Sequence, residues 1–202
     1  LAHDTKLHSR KVAIKIFRQC LYQETLPAKV TSPYIIVLHE MFEEDGKYYL
    51  VMEYIEQSLL GKVHQNGTFL WSEAEKIILQ TAEGLSCLHN NKIVHGDLKP
   101  SNILVKTEEN CLTAKLSDFG LSHSCTEEPT IKGGTPLYLP PPQIRQIKAG
   151  DVYSLGLTYY FLLTGRSPKI PLNMAQLPRA VPESFVKILS QSAGYHESLF
   201  CC

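Results

Sequence analysis

The 202-residue sequence predicts an α+β fold of two lobes, a small strand-rich one followed by a larger, mainly helical one. Three observations lead there. In the first quarter of the chain, short apolar runs are separated by turn residues. From Ser72 onward, apolar residues recur at helical spacing. With 44% hydrophobic and 20% charged residues, the chain can bury one folded core and is not disordered.

Lys11 to Phe17 (KVAIKIF) alternates Val, Ile and Phe with other residues and predicts a strand. Ile35 to Phe42 and Tyr48 to Tyr54 predict two more, joined through Glu43-Glu44-Asp45-Gly46, where Asp-Gly marks a hairpin. Asn66-Gly67 predicts a turn. Ser72 then opens a helix: Ser72-x-x-Glu75 reads as a capping box, and Ala74, Ile77, Ile78, Thr81, Leu85 and Leu88 form its apolar face. Asn90-Asn91 ends it. Short strands follow at Ile93-Val94, Ile103 to Val105 and Ala114 to Leu116. Pro136 to Pro142 (PLYLPPP) is excluded from helix and from a central strand. Asp151 to Thr164 predicts a buried helix, with Gly165 as its C-cap and Pro168 beyond. Pro182 to Gln191 predicts a short last helix with Phe185, Ile188 and Leu189 inward.

Composition removes several function classes. Twenty Lys+Arg balance 20 Asp+Glu, so the chain lacks the basic surplus of a general nucleic-acid or membrane-surface binder. No apolar run reaches the roughly 18 residues that span a bilayer; Val152 to Leu163 is too short and is interrupted by Ser154, Gly156 and Thr158. The six cysteines are irregularly spaced with no C-x-x-C pair, which argues against a disulfide framework or zinc site and for a reducing compartment, cytoplasmic or nuclear. The eight histidines lack the spacing of metal ligands. The start at Leu1, with neither Met nor a signal-like segment, reads as a cut edge.

The chemistry concentrates in His95-Gly-Asp-Leu-Lys-Pro-Ser-Asn102, which puts an acid, a base and an amide into one loop after a β-like dipeptide. Asp118-Phe119-Gly120 follows sixteen residues past Asn102, and Val12-Ala13-Ile14-Lys15 lies upstream on a strand. Acidic groups with an Asn can hold Mg²⁺ through hard oxygens. Two lysines can neutralise phosphate oxygens.

These motifs, in this order and with a buried helix opening on Asp151 after them, resemble the eukaryotic-type protein kinase family from about Ala2 to about Leu189. Lys99, two residues after Asp97, together with Gly134-Thr135-Pro136-x-Tyr138, resembles the serine/threonine branch. The resemblance implies a bilobal kinase-like fold: residues 1–54 as the small lobe from its second strand, 53–57 as a hinge and 58–202 as the large lobe, both lobes incomplete. It implies an enzyme that transfers the ATP γ-phosphoryl group to Ser or Thr of a protein, with Mg²⁺ or Mn²⁺; the alternative is a pseudokinase serving as a nucleotide-binding or scaffold module. Protein substrate and ATP are then the partners, with no nucleic acid and no membrane span.

By residue, Lys15 matches the strand lysine on the α/β-phosphates and Asp97 the base at the substrate hydroxyl. Lys99 matches the residue that neutralises the γ-phosphoryl charge, and Asn102 and Asp118 the metal ligands. Met52 matches the gatekeeper. Glu53 C=O and Ile55 N–H match the hinge groups on adenine, and Ala13 and Leu104 the residues that sandwich it. Phe119 and Gly120 open the activation segment. Thr135 takes the structural position near Asp97 and Lys99. His95, packed with Leu38 and Phe119, has a structural role, and Asp151 holds the catalytic-loop backbone from below.

Four departures from the family pattern stand out. The glycine-rich phosphate loop is absent, and Leu1-Ala2-His3-Asp4 resembles the strand that follows it. Glu24 is the candidate ion-pair partner of Lys15, but only nine residues on, and Pro27 interrupts the segment that should be a helix. Gly96 replaces the arginine that, in family members carrying it, pairs with a phosphate on the activation segment. Among the candidate phosphosites Ser124, Thr126 and Thr130 this predicts little phosphate control. Finally, Pro140-Pro141-Pro142 replaces Ala-Pro-Glu, and the lower lobe reads as truncated. Two lesser readings are a polyproline ligand at Pro140 to Pro142 and a prenylation end at Cys201-Cys202, the latter without a polybasic stretch before it.

Overall fold

In the computed structural model, which describes residues 2–4, 10–19, 22–108, 111–124, 136–141, 147–170, 172–179 and 181–183, the first apolar runs build an antiparallel sheet. Strands β1 (Ala2–Asp4), β2 (Arg10–Phe17), β3 (Leu38–Glu44) and β4 (Lys47–Glu53) lie in the order β1-β2-β4-β3. Asp45 and Gly46 make the two-residue turn between β3 and β4, with φ of 50° and 68°, the left-handed pair whose twist matches the strands it joins. The register sets Ala13 opposite Met52 and Lys15 opposite Leu50, so these four residues share one face of the sheet.

The predicted strand over Ile35 to Phe42 is corrected at its start: β3 begins at Leu38. Ile35 and Ile36 are buried but bond to Leu116, far along the chain. Ile35 bridges it in parallel, Ile36 N–H donates to its carbonyl at 2.9 Å, and its N–H donates to Tyr34 at 2.8 Å. Between β2 and this segment, Tyr22–Lys29 forms a 3₁₀ helix with Pro27 inside and Glu24, Leu26 and Pro27 buried.

The remainder is mainly helical. Strand β5 (Gln57–Ser58) leads into α1 (Leu59–Asn66) and α2 (Trp71–Asn90). Then come β6 (Ile93–Val94), β7 (Ile103–Glu108), β8 (Cys111–Leu116), β9 (His123–Ser124) and α3 (Lys148–Thr164). Strands β5-β7-β8 form one small sheet and β6-β9 another. Helix α1 has no counterpart among the predicted elements. Ser58 caps it, its hydroxyl accepting from Gly61 N–H at 3.2 Å, and the predicted turn at Asn66-Gly67 is its end.

Helix α2 begins one residue before the predicted Ser72. Its N-cap is Leu70, whose N–H donates to Glu73 Oε2 at 3.0 Å. Leu70 offers no side-chain acceptor, so this is half a capping box, and the Ser72–Glu75 box is overruled. Trp71, in the first turn, stacks on Tyr159 with centroids 5.5 Å apart, which draws it into the helix. Helix α3 begins at Lys148, three residues before the predicted Asp151, and ends on a left-handed Gly165 as expected. Pro136–Tyr138 forms one 3₁₀ turn where helix was excluded; as the first residue of that turn, Pro136 lacks only an N–H that would have no partner there. Of the predicted last helix only Pro182 and Glu183 are described; Phe185, Ile188 and Leu189 lie outside the described residues, as does Pro142.

Helices α2 and α3 pack together around a core that includes Ile77, Leu88, Leu116, Phe119, Tyr159 and Leu162. Within it, Thr158 is fully buried and, among the described residues, its hydroxyl has no hydrogen-bond partner. A buried hydroxyl without a partner costs desolvation for nothing in return. Thr158→Val is therefore expected to be neutral or stabilising by up to about 1 kcal/mol, read as a higher denaturation midpoint at unchanged slope. A loss of similar size would mean that the hydroxyl is satisfied.

Candidate active site

The loop that follows β6 is held from below by one carboxylate. Asp151, in the first turn of α3 and 2% exposed, accepts His95 N–H on Oδ2 and Gly96 N–H on Oδ1, both at 2.9 Å. His89 Nε2, near the end of α2, lies 2.8 Å from the same Oδ2. His95 is completely buried. Its Nδ1 accepts from Asp97 N–H at 3.4 Å, which places the ring proton on Nε2, donating to Ser117 carbonyl at 3.1 Å. Its ring lies 4.9 Å from that of Phe119, and Ser122 Oγ donates to its carbonyl at 3.0 Å.

Gly96 is left-handed, with φ 78°, and a Cβ there would stand 2.7 Å from Leu121 carbonyl oxygen. Both facts require glycine in this arrangement, since any side chain would force the 119–121 turn to move.

The loop then brings three predicted residues together. Lys99 Nζ pairs with Asp97 Oδ2 at 2.6 Å, and Asn102 Nδ2 donates to Asp97 carbonyl at 2.9 Å and to its Oδ2 at 3.2 Å. Asn102 Oδ1 accepts from Ser101 Oγ at 3.2 Å. A 3₁₀ turn over Pro100–Asn102, with Pro100 first, sets this tight spacing.

Lys15 reaches this region from β2. Its Nζ pairs with Glu24 and, at 2.6 Å, with Asp118 Oδ1. Burial works to lower the Lys15 pKa, but the hydrogen bonds and charges of Asp118 and Glu24 outweigh it and hold the ammonium above its ordinary value. Burial likewise works to raise the Asp118 carboxyl, and the hydrogen bond and charge of Lys15, with smaller help from His95 and Lys99, hold it below the ordinary range. Asp118 has φ 62°, a sparsely populated conformation for a residue with a Cβ and one that concentrates at functional sites. Glu24 Oε1 sits 3.0 Å from where a Cβ on Gly120 would be, so the 3₁₀ helix lies directly on the Asp118–Gly120 turn.

Lys15, Glu24, Asn102 and Asp118 line a cavity of about 230 Å³, whose apolar walls include Leu38, Leu50, Met52, Leu104 and Phe119. Of the residues singled out from sequence, Ala13 sits beside this wall opposite Met52, and Asp97, Lys99 and Gly120 adjoin it through the contacts above. Ile55 is buried just beyond β4. Thr135 lies outside the described residues, as do Thr126 and Thr130. Sequence reasoning missed Ile36, Leu50, Ser101 and Ser117 in the lining, and His89, which meets Asp151 from 62 residues away with no spacing signal.

Among the described residues, no three His, Cys, Asp or Glu side chains could hold a metal ion by themselves. Asn102 and Asp118 nevertheless bring two hard oxygen donors to one cavity wall. That set suits a hard divalent cation whose other ligands are water and phosphate oxygens.

A family model described as "Protein kinase domain" matches residues 5–190, and the chain belongs to that family. It is 34% identical over 181 residues to "Serine/threonine-protein kinase ATG1b" of Arabidopsis thaliana, covering 83% of this chain and 25% of that protein. It is 33% identical over 175 residues to "Myosin light chain kinase A" of Dictyostelium discoideum, covering 84% and 57%. It is 35% identical over 188 residues to "Serine/threonine-protein kinase PrkC" of Bacillus subtilis, covering 83% and 28%. The chain thus spans from a quarter to just over half the length of these relatives. No described helix is long and apolar enough to cross a membrane.

Proposed function

We propose that this chain is a protein serine/threonine kinase domain that transfers the ATP γ-phosphoryl group to Ser or Thr of a protein substrate. The observation that supports it best is that Lys15, Asn102 and Asp118 line one cavity while Asp97 and Lys99 adjoin it through Asn102, on a loop whose backbone Asp151 binds at His95 and Gly96. In this reading residues 1–54 form the small lobe, 53–57 the hinge and 58–202 the large lobe. Adenine lies between Ala13 and Leu104, past Met52, and bonds Glu53 C=O and Ile55 N–H. Lys15 neutralises the α/β-phosphates and is itself oriented by Glu24. Asp97 accepts or orients the substrate hydroxyl, and Lys99 offsets charge on the γ-phosphoryl oxygens. Asn102 and Asp118 hold Mg²⁺ or Mn²⁺, which supplies neutralisation of phosphate charge. Phe119 and Gly120 start the activation segment.

Nucleotide binding is the first test. MgADP at 100 times its Kd is expected to add about 2.7 kcal/mol of stability, seen as a higher melting temperature. Asp118→Asn should remove most of the Mg²⁺ dependence. Binding without phosphoryl transfer to generic Ser/Thr proteins would favour the pseudokinase reading, and a melting temperature indifferent to MgADP would count against both.

A further inference from the structure

Glu53 is proposed above to meet the nucleotide base through its backbone, and its side chain points to a further role for a residue outside the site. Glu53 Oε1 accepts two bonds, from Lys115 Nζ at 2.7 Å and from Val37 N–H at 2.8 Å. Val37 carbonyl in turn accepts Glu53 N–H at 3.0 Å, so the last residue of β4 is tied twice to residue 37. Lys115 lies on β8, opposite Leu104, and its Nζ is also 3.4 Å from Ile35 carbonyl. The ion pair is little exposed, 12% for Lys115 and 19% for Glu53.

The 34–37 segment is no loose loop. It bonds Leu116 from both sides, and α2 passes so close at Gly84 that a Cβ there would stand 2.9 Å from Tyr34 carbonyl. One cation on β8 and one rigid segment against α2 therefore converge on the residue where the small sheet passes into the hinge.

Resting on the nucleotide-binding reading, we infer that Lys115 is a positioning residue: acting through Glu53, it sets the hinge backbone that receives the base. An exposed ion pair contributes little because water screens it and the side chains are mobile. Here the carboxylate is largely withdrawn from water and shares one oxygen with a backbone N–H. Removing Lys115 leaves a mostly buried carboxylate with a single neutral donor, and Glu53 must turn toward water, taking its backbone with it. Neither Lys115 nor Glu53 is among the residues that line the cavity with Lys15, Asn102 and Asp118.

The test is Lys115→Met in the full chain, with Lys115→Arg as the conservative variant, using adenosine and MgADP as probes in calorimetric titrations. Lys115→Met is expected to weaken both by the same factor, about tenfold, because the base alone reads the hinge. The KM for ATP should rise in step while kcat at saturation stays within about twofold, and Lys115→Arg should restore binding. If Lys115→Met melts below the assay temperature, Lys115→Gln, polar but uncharged, is measured with the same expectations. Parental affinity for both probes in the uncharged variant, a weakening of MgADP but not of adenosine, or a fall in kcat at unchanged KM would each overturn the inference. An unmutated chain that binds neither probe would instead sink the nucleotide-binding reading beneath it.

Discussion

Asp97→Asn is expected to slow phosphoryl transfer by about a hundredfold or more, while MgADP affinity stays within about twofold. The substitution keeps size and shape. It keeps an oxygen able to accept from Asn102 Nδ2, now at 3.2 Å from Asp97 Oδ2, and so leaves the loop assembled. What it removes is a carboxylate able to take or direct a hydroxyl proton, and the negative charge 2.6 Å from the Lys99 ammonium. Asp97 does not line the cavity wall formed by Lys15, Asn102 and Asp118, so nucleotide should be held much as before. Rates on a Ser/Thr peptide and MgADP titrations on the same preparation separate the two effects. Parental turnover in Asp97→Asn would refute the catalytic assignment. A matched loss of MgADP binding would move Asp97 into the nucleotide site.

Asp151→Ala should have the largest effect on stability, about 3–5 kcal/mol, out of the 5–15 kcal/mol typical of a whole domain. The carboxylate is 2% exposed and satisfies two backbone N–H groups and a histidine nitrogen. Alanine deletes all three bonds and leaves the buried His95 amide and the partly buried Gly96 amide without this acceptor, which costs more than the bonds were worth. Asp151→Asn should fall between: its oxygen can serve one amide, but its NH₂ then faces another donor. Urea unfolding at constant slope gives the numbers. A loss under 1 kcal/mol for Asp151→Ala would mean that the loop is held by His95, Phe119 and Ser122 without Asp151.

The α+β fold class and the family motifs were legible in the sequence, and the boundaries of individual elements were less so. Lys15, Asp97, Lys99, Asn102 and Asp118 sit in short motifs whose residue types have few other uses, and the structure brings them together. Glu24 was legible only as the nearest carboxylate, because Pro27 disrupts the helical pattern that normally marks such a residue. The 3₁₀ winding over Tyr22–Lys29 accommodates that proline and still buries Glu24. Element boundaries failed where long-range contacts outweighed local patterns. Trp71 belongs to α2 because of Tyr159, and Ile35 and Ile36 leave the predicted strand because Leu116 offers them hydrogen bonds 80 residues downstream. Helix α1 was missed because eight residues with two buried side chains, Leu59 and Val63, give too short a period to read. The Glu53–Lys115 and His89–Asp151 pairs bring together residues 62 positions apart, and spacing alone holds no trace of them.

The eight-residue 3₁₀ helix has a kinetic consequence. Such helices have poorer hydrogen-bond geometry than α-helices and rarely run long. With a proline inside, this one also lacks an amide donor and cannot rewind into a regular α-helix. Segments that open locally do so at a free energy below that of global unfolding. Each such opening of this helix would release Glu24 from Lys15 and lift it off Gly120, leaving the Lys15 pair with Asp118. The pairing of Lys15 would then be a population with its own lifetime, and a contact that lengthened the closed interval would raise the paired fraction without touching Lys15 or Asp118.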